Sequence, residues 1–362
     1  MPTEISSMGE FGLIKHLTKD LGKTNKETLY GVGDDCAVLR YSDDKDLLVT
    51  TDLLMEGIHF DLTYMPLQHL GYKSAMVNFS DVYAMGGIPK QITVSIALGK
   101  RFSLEDLETF YDGLRIACEA HHVDLVGGDT TPSMTGLAIS ITCIGEVAHG
   151  KAIYRNGAHE TDLICVSGDL GAAYMGLQLL EREKTVYYQQ LAEANKLEGE
   201  ARAQAMKQME IAQPDFQGKE YLLERQMRPE ARRDIILKLR EAGIHPTSMI
   251  DISDGLSSEL MHICTQSGTG CRIYEERIPL DYQTAVMAEE LNLNVSTCAL
   301  NGGEDYELLF TVPLTDNEKV EALDNVKVIG YITKPELGMA LITRDNQEFE
   351  LKAQGWNPLN KN

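Results

Sequence analysis

Residues 47–60 read LLVTTDLLMEGIHF, a short apolar run that passes directly into polar side chains. Residues 47–49 favour a buried strand, because the run is too short for a helix. We expect Thr50, Thr51 and Asp52 at the end of this strand. Two hydroxyls and a carboxylate are hard oxygen donors, which suit Mg²⁺ better than zinc. A strand ending in a turn with a solvated Asp52 explains the same letters, so both interpretations stay open at this point.

The composition is that of an acidic globular protein. With 362 residues, of which 43% are hydrophobic, the chain fits two domains at ~100–200 residues per domain. The net charge of −22 and the lack of a Lys/Arg-rich run argue against nucleic acid or an anionic membrane as a partner. No apolar run approaches ~18 residues, so no membrane-spanning helix is expected. The N-terminus lacks the pattern of a signal peptide, and a cytoplasmic protein is the resulting expectation.

The seven cysteines do not form a recognisable binding motif. They are scattered, odd in number and never spaced C-x-x-C. This spacing indicates neither a zinc site nor a disulfide framework. We therefore expect most of them to be small core residues of a protein in a reducing compartment.

Hydrophobic periodicity predicts a mixed α/β chain. Helices are expected over residues 11–21, 66–85, 104–121 and 168–180, with a further helix that ends at residues 242–243. Strands are expected at 91–98, 123–126, 138–147, 163–166 and 249–252, and around 306–310. We place a domain boundary near residue 150. Residues 181–217 are polar with few apolar anchors, which is typical of a solvated helical hairpin or a partly mobile insertion.

Acidic residues recur at the predicted strand ends or beside glycines: Asp34, Asp35, Asp52, Asp129, Asp251, Asp254, Glu304 and Asp305. A further carboxylate, Asp81, falls on the apolar stripe of helix 66–85 with Asn78 one turn before it. Carboxylates are rarely buried without a partner or a metal ion.

Each acidic residue alone has a structural explanation. Solvated turns account for Asp34 and Asp35, and a place at the rim of the stripe accounts for Asp81. Capping of the helix that begins at Gly255 accounts for Asp254 but not for Asp251, which lies in the strand three residues earlier. Taken together, the set suits a site with several Mg²⁺ ions that holds a nucleoside triphosphate.

Six motifs carry a resemblance that runs from Gly9 to Trp356: GVGDDCAVL, TTDLLMEGIHF, KSAMVNFSDVYAMGG, LVGGDTT, IDISDGLSSEL and GGEDYELLF. Through them the chain resembles the thiamine-monophosphate kinase family, within the superfamily of aminoimidazole-ribonucleotide synthetase-like ATP-binding enzymes. The GIHF and GGEDYELLF motifs point to the thiamine kinases specifically. The stretch 181–217 departs from the family by its length.

The resemblance implies three sets of site residues. Metal ligands match Asp35, Thr50, Thr51, Asp52, Asp81, Asp129, Asp251 and Asp254. Contacts with ATP match Gly128, Asp129, Arg155, Ser253 and Tyr111. Contacts with thiamine monophosphate match His59, Glu304 and Trp356.

The resemblance also implies a reaction and an assembly. ATP would phosphorylate thiamine monophosphate to thiamine diphosphate, the last step in making that molecule, with Mg²⁺ as cofactor. The acceptor is already an ionised phosphate, so in-line transfer needs no general base. The implied fold has two α/β domains, residues 1–150 and 151–362, each with a mixed sheet backed by helices. The N-terminal domains would pair in a homodimer.

Two alternatives are kept. Another ATP-using member of the superfamily, such as aminoimidazole-ribonucleotide or selenophosphate synthetase, would share the acidic motifs. The selenophosphate enzyme normally carries a reactive Cys or selenocysteine with a Lys near the N-terminus, and no such pair precedes Gly31. A non-catalytic protein that binds metal or nucleotide is the third hypothesis, although the spacing of a calcium EF-hand is absent.

Overall fold

Two mixed β-sheets with a buried helix between them form the framework. The structure, a computed structural model, describes residues 9–20, 23–211, 214 and 216–353. Helix α2 (Leu67–Ala84) contacts strands of the first sheet and also β8 (Ser248–Asp251) of the second. One apolar core includes Phe79 of this helix together with Met249 and Phe310 of the second sheet. The expectation of a mixed α/β fold is confirmed.

The first sheet has six strands in the order β1-β2-β3-β6-β4-β5. Their bounds are Thr28–Tyr30 (β1), Ala37–Leu39 (β2), Lys45–Met55 (β3), Ile88–Leu98 (β4), Asp124–Pro132 (β5) and Ala138–Ala148 (β6). Only β4 and β5 pair in parallel, whereas the other neighbours are antiparallel. This half also contains helices α1 (Gly9–Thr18), α2 (Leu67–Ala84) and α3 (Leu104–His121).

Helices α2 and α3 touch through a reciprocal pair of glycines. A Cβ added at Gly71 would lie 2.0 Å from the carbonyl oxygen of Phe110, and one at Gly113 would lie 1.8 Å from that of Gln68. Any side chain at either position would therefore separate the two backbones. Helix α3 begins with a capping box between Ser103 and Asp106, as its polar start favours.

The second sheet has seven strands in the order β13-β12-β9-β11-β7-β10-β8. Their bounds are Leu163–Ser167 (β7), Ser248–Asp251 (β8), Gly270–Tyr274 (β9), Leu308–Val312 (β10), Val326–Thr333 (β11), Met339–Ile342 (β12) and Glu348–Glu350 (β13). The helices are Ala172–Ala194 (α4), Gly199–Ile211 (α5), Glu220–Met227 (α6), Arg233–Glu241 (α7), Leu256–Ser267 (α8), Tyr282–Glu290 (α9), Val295–Asn301 (α10) and Asn317–Glu321 (α11). Strands β9 and β12 are parallel, and the other pairs are antiparallel.

Three local predictions are wrong in ways that matter for the site. Residues 50–52 lie in the middle of β3, which runs on to Met55, because Leu53 and Leu54 continue the pairing with β6. Strand β5 is exposed along its whole length rather than buried, because it is an edge strand. It also runs past the predicted end at residue 126, through Gly127 and Gly128 to Pro132.

Helix α8 begins without a side-chain cap. Gly255 occupies the N-cap position, and neither the Ser253 nor the Asp254 side chain accepts the predicted capping hydrogen bond from the helix N-terminus. Instead, the amide of Asp254 donates to the Glu259 carboxylate at 3.0 Å. The carboxylate of Asp254 is therefore not committed to holding the helix end.

The expected polar hairpin begins later than predicted. Helix α4 continues through residue 181 to Ala194, and α5 follows it after a short turn. Most residues between 186 and 205 are exposed, as their composition suggested. All seven cysteines are free and buried, which confirms their expected place in the core.

Candidate active site

Three carboxylates converge between the two sheets. Oxygen atoms of Asp35, Asp81 and Asp251 lie within 4.8 Å of one another. Asp35 comes from the turn before β2, Asp81 from α2, and Asp251 from the end of β8. The three residues, here called the carboxylate cluster, therefore join both sheets through the helix between them.

Two hydroxyl groups orient the carboxylate cluster. Thr50 of β3 donates a short hydrogen bond to Asp81, and Ser80 of α2 donates to Asp251 at 2.5 Å. Thr50 reaches the cluster because side chains alternate along a strand and its side faces α2. Ser80 was not among the predicted site residues, although its place beside Asp81 in the SD motif could have indicated it.

Burial and mutual repulsion disfavour the ionised form of the cluster. Burial, reinforced by Asp52, Asp251 and Asp35, raises the pKa of Asp81 well above its ordinary value. Burial followed by the charge of Asp35 raises the pKa of Asp251 to about 7. Burial also raises the pKa of Asp35, against the opposing effect of the Arg155 guanidinium. A cation placed among the three would relieve this repulsion.

Arg155 is the cation in contact with the cluster. Its Nη2 donates to Asp35 Oδ1 at 2.5 Å, and its backbone amide donates to Asp34 Oδ2 at 3.1 Å. Asp35 Oδ2 is nevertheless buried without a hydrogen-bond partner, as is Arg155 Nε. An orphaned carboxylate oxygen beside two further carboxylates is a donor set that fits a hard divalent cation.

Two further acidic side chains border the cluster. Asp52 lies on β3 two residues beyond Thr50, where its backbone amide donates to Asn78 Oδ1 at 3.2 Å. Burial, followed by the charge of Glu10, raises the pKa of Asp52 to about 6 and that of Asp254 also to about 6. The charge of Glu10 in α1 therefore acts on both carboxylates, although Glu10 was not among the predicted site residues.

His59 and Glu304 lie on a second side of the site. His59 Nδ1 accepts a hydrogen bond from the Met55 amide at 3.0 Å, and burial lowers the pKa of the ring. The neutral ring therefore carries its proton on Nε2, which makes that atom a donor. Glu304 follows Gly303, and its backbone amide donates to the Ser253 carbonyl at 2.7 Å.

Comparison with known proteins identifies the family. Residues 33–147 match the family described as AIR synthase related protein, N-terminal domain. The chain is 34% identical to the thiamine-monophosphate kinase of Aquifex aeolicus over 341 residues, covering 92% of this chain and 98% of the relative. It is 30% identical to that of Bacillus subtilis, with 97% and 99% covered. The chain belongs to the thiamine-monophosphate kinase family.

Solved structures agree with this assignment. The structure of AaThiL complexed with AMPPCP and TMP has a TM-score of 0.79 and 32% identity, covering 99% of both chains. Thiamine monophosphate kinase from Aquifex aeolicus has a TM-score of 0.73 and 30% identity, covering 96% of this chain and 100% of that one. The predicted membership of the thiamine-monophosphate kinase family is confirmed.

Some residues implied by the resemblance to this family lie away from the carboxylate cluster. Thr51 is exposed on the opposite face of β3, where its hydroxyl donates to the Ile141 carbonyl at 3.1 Å. Gly128 and Asp129 lie on β5, three strands beyond β3, roughly 14 Å away at about 4.8 Å per strand. The Asp129 carboxylate accepts from the Thr130 amide at 2.9 Å.

Tyr111 borders an open groove between α3 and β5. The groove has a volume of about 1330 Å³ and is also lined by Asp112, Arg115 and Leu125. Trp356, the remaining residue implied by the resemblance to thiamine-monophosphate kinases, lies outside the described residues.

Among the helices that the structure describes, none combines the length and the apolar character that a membrane span requires.

Proposed function

We propose that this protein transfers the γ-phosphoryl group of ATP to thiamine monophosphate, forming thiamine diphosphate and ADP. The observation that carries the proposal is the carboxylate cluster, whose three charges face one another with a single guanidinium among them. Membership of the thiamine-monophosphate kinase family supplies the two substrates. The product makes this the final step in forming the diphosphate.

Several Mg²⁺ ions are the proposed cofactor. Asp35, Asp81 and Asp251 would hold them, with further oxygen atoms from Thr50, Asp52 and Asp254 on the border of the cluster. Bound there, the metal would neutralise the phosphates of ATP and the charge that develops during transfer. Participation of Thr51 and Asp129 remains a prediction, because their side chains are not part of the cluster.

The chain's own groups would align the two substrates. Arg155 is a planar donor suited to a phosphate, and Ser253 lies beside Asp254 at the same end of β8. Gly128, Asp129 and Tyr111 would contact the nucleotide along β5 and the groove beside it. His59, Glu304 and Trp356 would hold thiamine monophosphate. Since the attacking oxygen belongs to an ionised phosphate, these residues need only position it, and none acts as a general base.

A homodimer is proposed from the open face of the first sheet. Leu53 of β3 is 57% exposed there, and Val126 of the edge strand β5 is 58% exposed. A long exposed edge strand with apolar side chains is a site at which proteins pair. Pairing of two copies through this face would cover β5 and place its nucleotide-contacting residues beside the partner. Residues 1–150 would then form the N-terminal, dimerising domain and 151–362 the C-terminal domain, in a cytoplasmic enzyme.

Product analysis tests the proposal. Purified full-length protein is incubated with ATP, thiamine monophosphate and Mg²⁺, and the products are separated by chromatography, with an EDTA sample as control. We expect thiamine diphosphate and ADP in equal amounts, and neither with EDTA. ADP without thiamine diphosphate would assign another acceptor of the same superfamily. Nucleotide binding without ADP would show a binding protein instead.

A further inference from the structure

Lys73 is a buried charge that neither the phosphates nor the metal site explains. It lies on α2, eight residues before Asp81, and is only 1% exposed. A lysine that is buried to this extent is retained only where a partner compensates its charge. The partner is Glu304, whose Oε1 lies 2.8 Å from the Lys73 ammonium.

Gln226 of α6 completes the contact. Its Nε2 donates to Glu304 Oε2 at 2.8 Å, so each oxygen of the carboxylate has its own donor. Lys73 also donates to the backbone oxygen of Gln226 at 3.1 Å. The three residues therefore form a closed triangle that joins α2, α6 and the loop before β10.

The loop that carries Glu304 is held in an unfavourable conformation. Glu304 has φ of 65° and Tyr306 has φ of 51°, in the left-handed region that side chains other than glycine rarely adopt. Backbone hydrogen bonds to Ser253 and Ile252, of 2.7 and 2.8 Å, retain it. Such strain persists where the surroundings fix one side-chain direction, and it is common at functional sites.

We propose that Lys73 and Gln226 are positioning residues that fix the Glu304 carboxylate to receive the acceptor substrate. The inference rests on the proposed function and deepens it. An ammonium at 2.8 Å repels a divalent cation, so Glu304 is reserved for an organic ligand rather than for metal. Each oxygen retains a second lone pair for an N–H donor or a cationic ring. Thiamine monophosphate carries both, as an exocyclic amino group and a thiazolium.

The charge balance separates this triangle from the carboxylate cluster. Lys73 and Glu304 together are neutral, whereas Asp35, Asp81 and Asp251 outnumber their one guanidinium partner. Helix α2 thus contributes an ammonium that neutralises Glu304 at one end, and a carboxylate, Asp81, to the excess of negative charge at the other.

Steady-state kinetics on the full chain tests the inference. We expect Lys73→Met and Gln226→Met each to raise KM for thiamine monophosphate about tenfold, with KM for ATP within twofold of wild type. Tyr72→Phe is the matched control, because it removes a different hydrogen bond from α2 to the second half, the 2.6 Å contact with Glu230. This control should leave both KM values unchanged.

A double variant shows whether Lys73 acts through Glu304. If it does, Lys73→Met/Glu304→Gln will have the same KM for thiamine monophosphate as Glu304→Gln alone. The inference would be overturned if the effects of Lys73→Met and Glu304→Gln on KM for thiamine monophosphate were additive, or if KM rose equally for both substrates. In either case, thiamine diphosphate formation by the wild-type protein would still uphold the proposed function. A wild-type protein that makes no thiamine diphosphate would overturn both. If Lys73→Met does not fold, Gln226→Met decides the question by the same criterion.

Discussion

Two buried acidic sites in the described part of the chain differ in how well cations match their negative charge. In the carboxylate cluster, Asp35, Asp81 and Asp251 share a single guanidinium, and one oxygen of Asp35 has no partner. Glu307 of the second half is 0% exposed, yet both its oxygens accept hydrogen bonds. Its donors, which with it form the Glu307 cluster, are Ser167, Arg225 and Arg232.

The difference shows how a site can be distinguished from a scaffold. Both clusters are buried, and both join elements that are distant in sequence. Glu307 is a structural crosslink, because it is fully buried and two guanidiniums already neutralise its charge. The carboxylate cluster keeps a free energy of repulsion that protonation or a bound cation can release. The balance of charge, rather than burial alone, separates these two sites.

The largest expected effect is the loss of activity on replacing Asp81. Asp81→Asn should lower kcat/KM about 10³-fold, equivalent to about 4 kcal/mol, because the proposed metal loses a central ligand. The melting temperature should stay the same or rise, since one of the mutually repelling charges is removed. Asp43→Asn, at an exposed aspartate in the turn before β3, is the control. Near-normal turnover by Asp81→Asn would refute the metal assignment.

Replacing a residue of the Glu307 cluster should lower stability rather than activity. Arg232→Met leaves a buried carboxylate short of one donor, and we expect a loss of about 3 kcal/mol in the free energy of unfolding. Denaturation in urea measures it, while the kcat of the remaining folded protein should be close to that of wild type. A large loss of kcat at unchanged stability would place Glu307 in the active site and remove the contrast between the clusters.

The carboxylate cluster should also make the stability of the protein depend on pH and on metal. The pKa of Asp251 is raised from 3.8 to about 7 in the folded protein, so its proton favours the folded state. The resulting stabilisation is complete below pH 3.8 and is lost as the pH rises through about 7. In EDTA, the wild-type melting temperature should therefore fall between pH 5 and 8 more steeply than that of Asp251→Asn.

Added Mg²⁺ should restore stability at pH 8. A ligand at 100 times its Kd adds about 2.7 kcal/mol. Arg232→Met should gain as much from Mg²⁺ as wild type, whereas Asp251→Asn should gain little. Equal gains in all three proteins would mean that the ion binds elsewhere.

The smallest effect concerns two neighbouring threonines. Thr50 donates to Asp81, so Thr50→Val should lower kcat/KM about fivefold, as expected for about 1 kcal/mol of one hydrogen bond. Thr51 points to the opposite face of β3, so Thr51→Val leaves the hydrogen bond to Asp81 in place and should lower kcat/KM less than Thr50→Val does. Assays of both variants at saturating Mg²⁺ measure the difference. Equal losses would show that the open face also contributes to the site.

Much of this site could be predicted from the sequence, because motifs record which residue types recur together. Asp35, Asp81 and Asp251 were expected as ligands, and the structure brings them together. The placement of the Thr50 and Thr51 side chains on opposite faces of β3 could not be predicted, because the strand was expected to end at residues 50–52. A strand that continues to Met55 must place consecutive side chains on opposite faces.

Other features depended on pairing between distant segments. Residues 123–126 are apolar enough for a buried strand, but their place at the edge of the sheet is decided by the strand order. Lys73 is the first residue of the KSAMVNFSDVYAMGG motif, but its role could not be predicted, since its partner Glu304 is 231 positions away, the difference between the two residue numbers. Helix α2 itself was predicted to within one residue at each end, because a glycine pair marks its end.

The glycine contact between α2 and α3 has a consequence for how the two ends of the proposed site can move. Gly71 and Gly113 bring the two backbones into direct contact, so α2 cannot slide along its axis unless α3 moves with it. Lys73 and Asp81 lie eight residues apart on this helix, roughly 12 Å at 1.5 Å per residue. The whole helix is therefore the unit of movement, and a tilt of α2 at the carboxylate cluster would also displace the ammonium that holds Glu304.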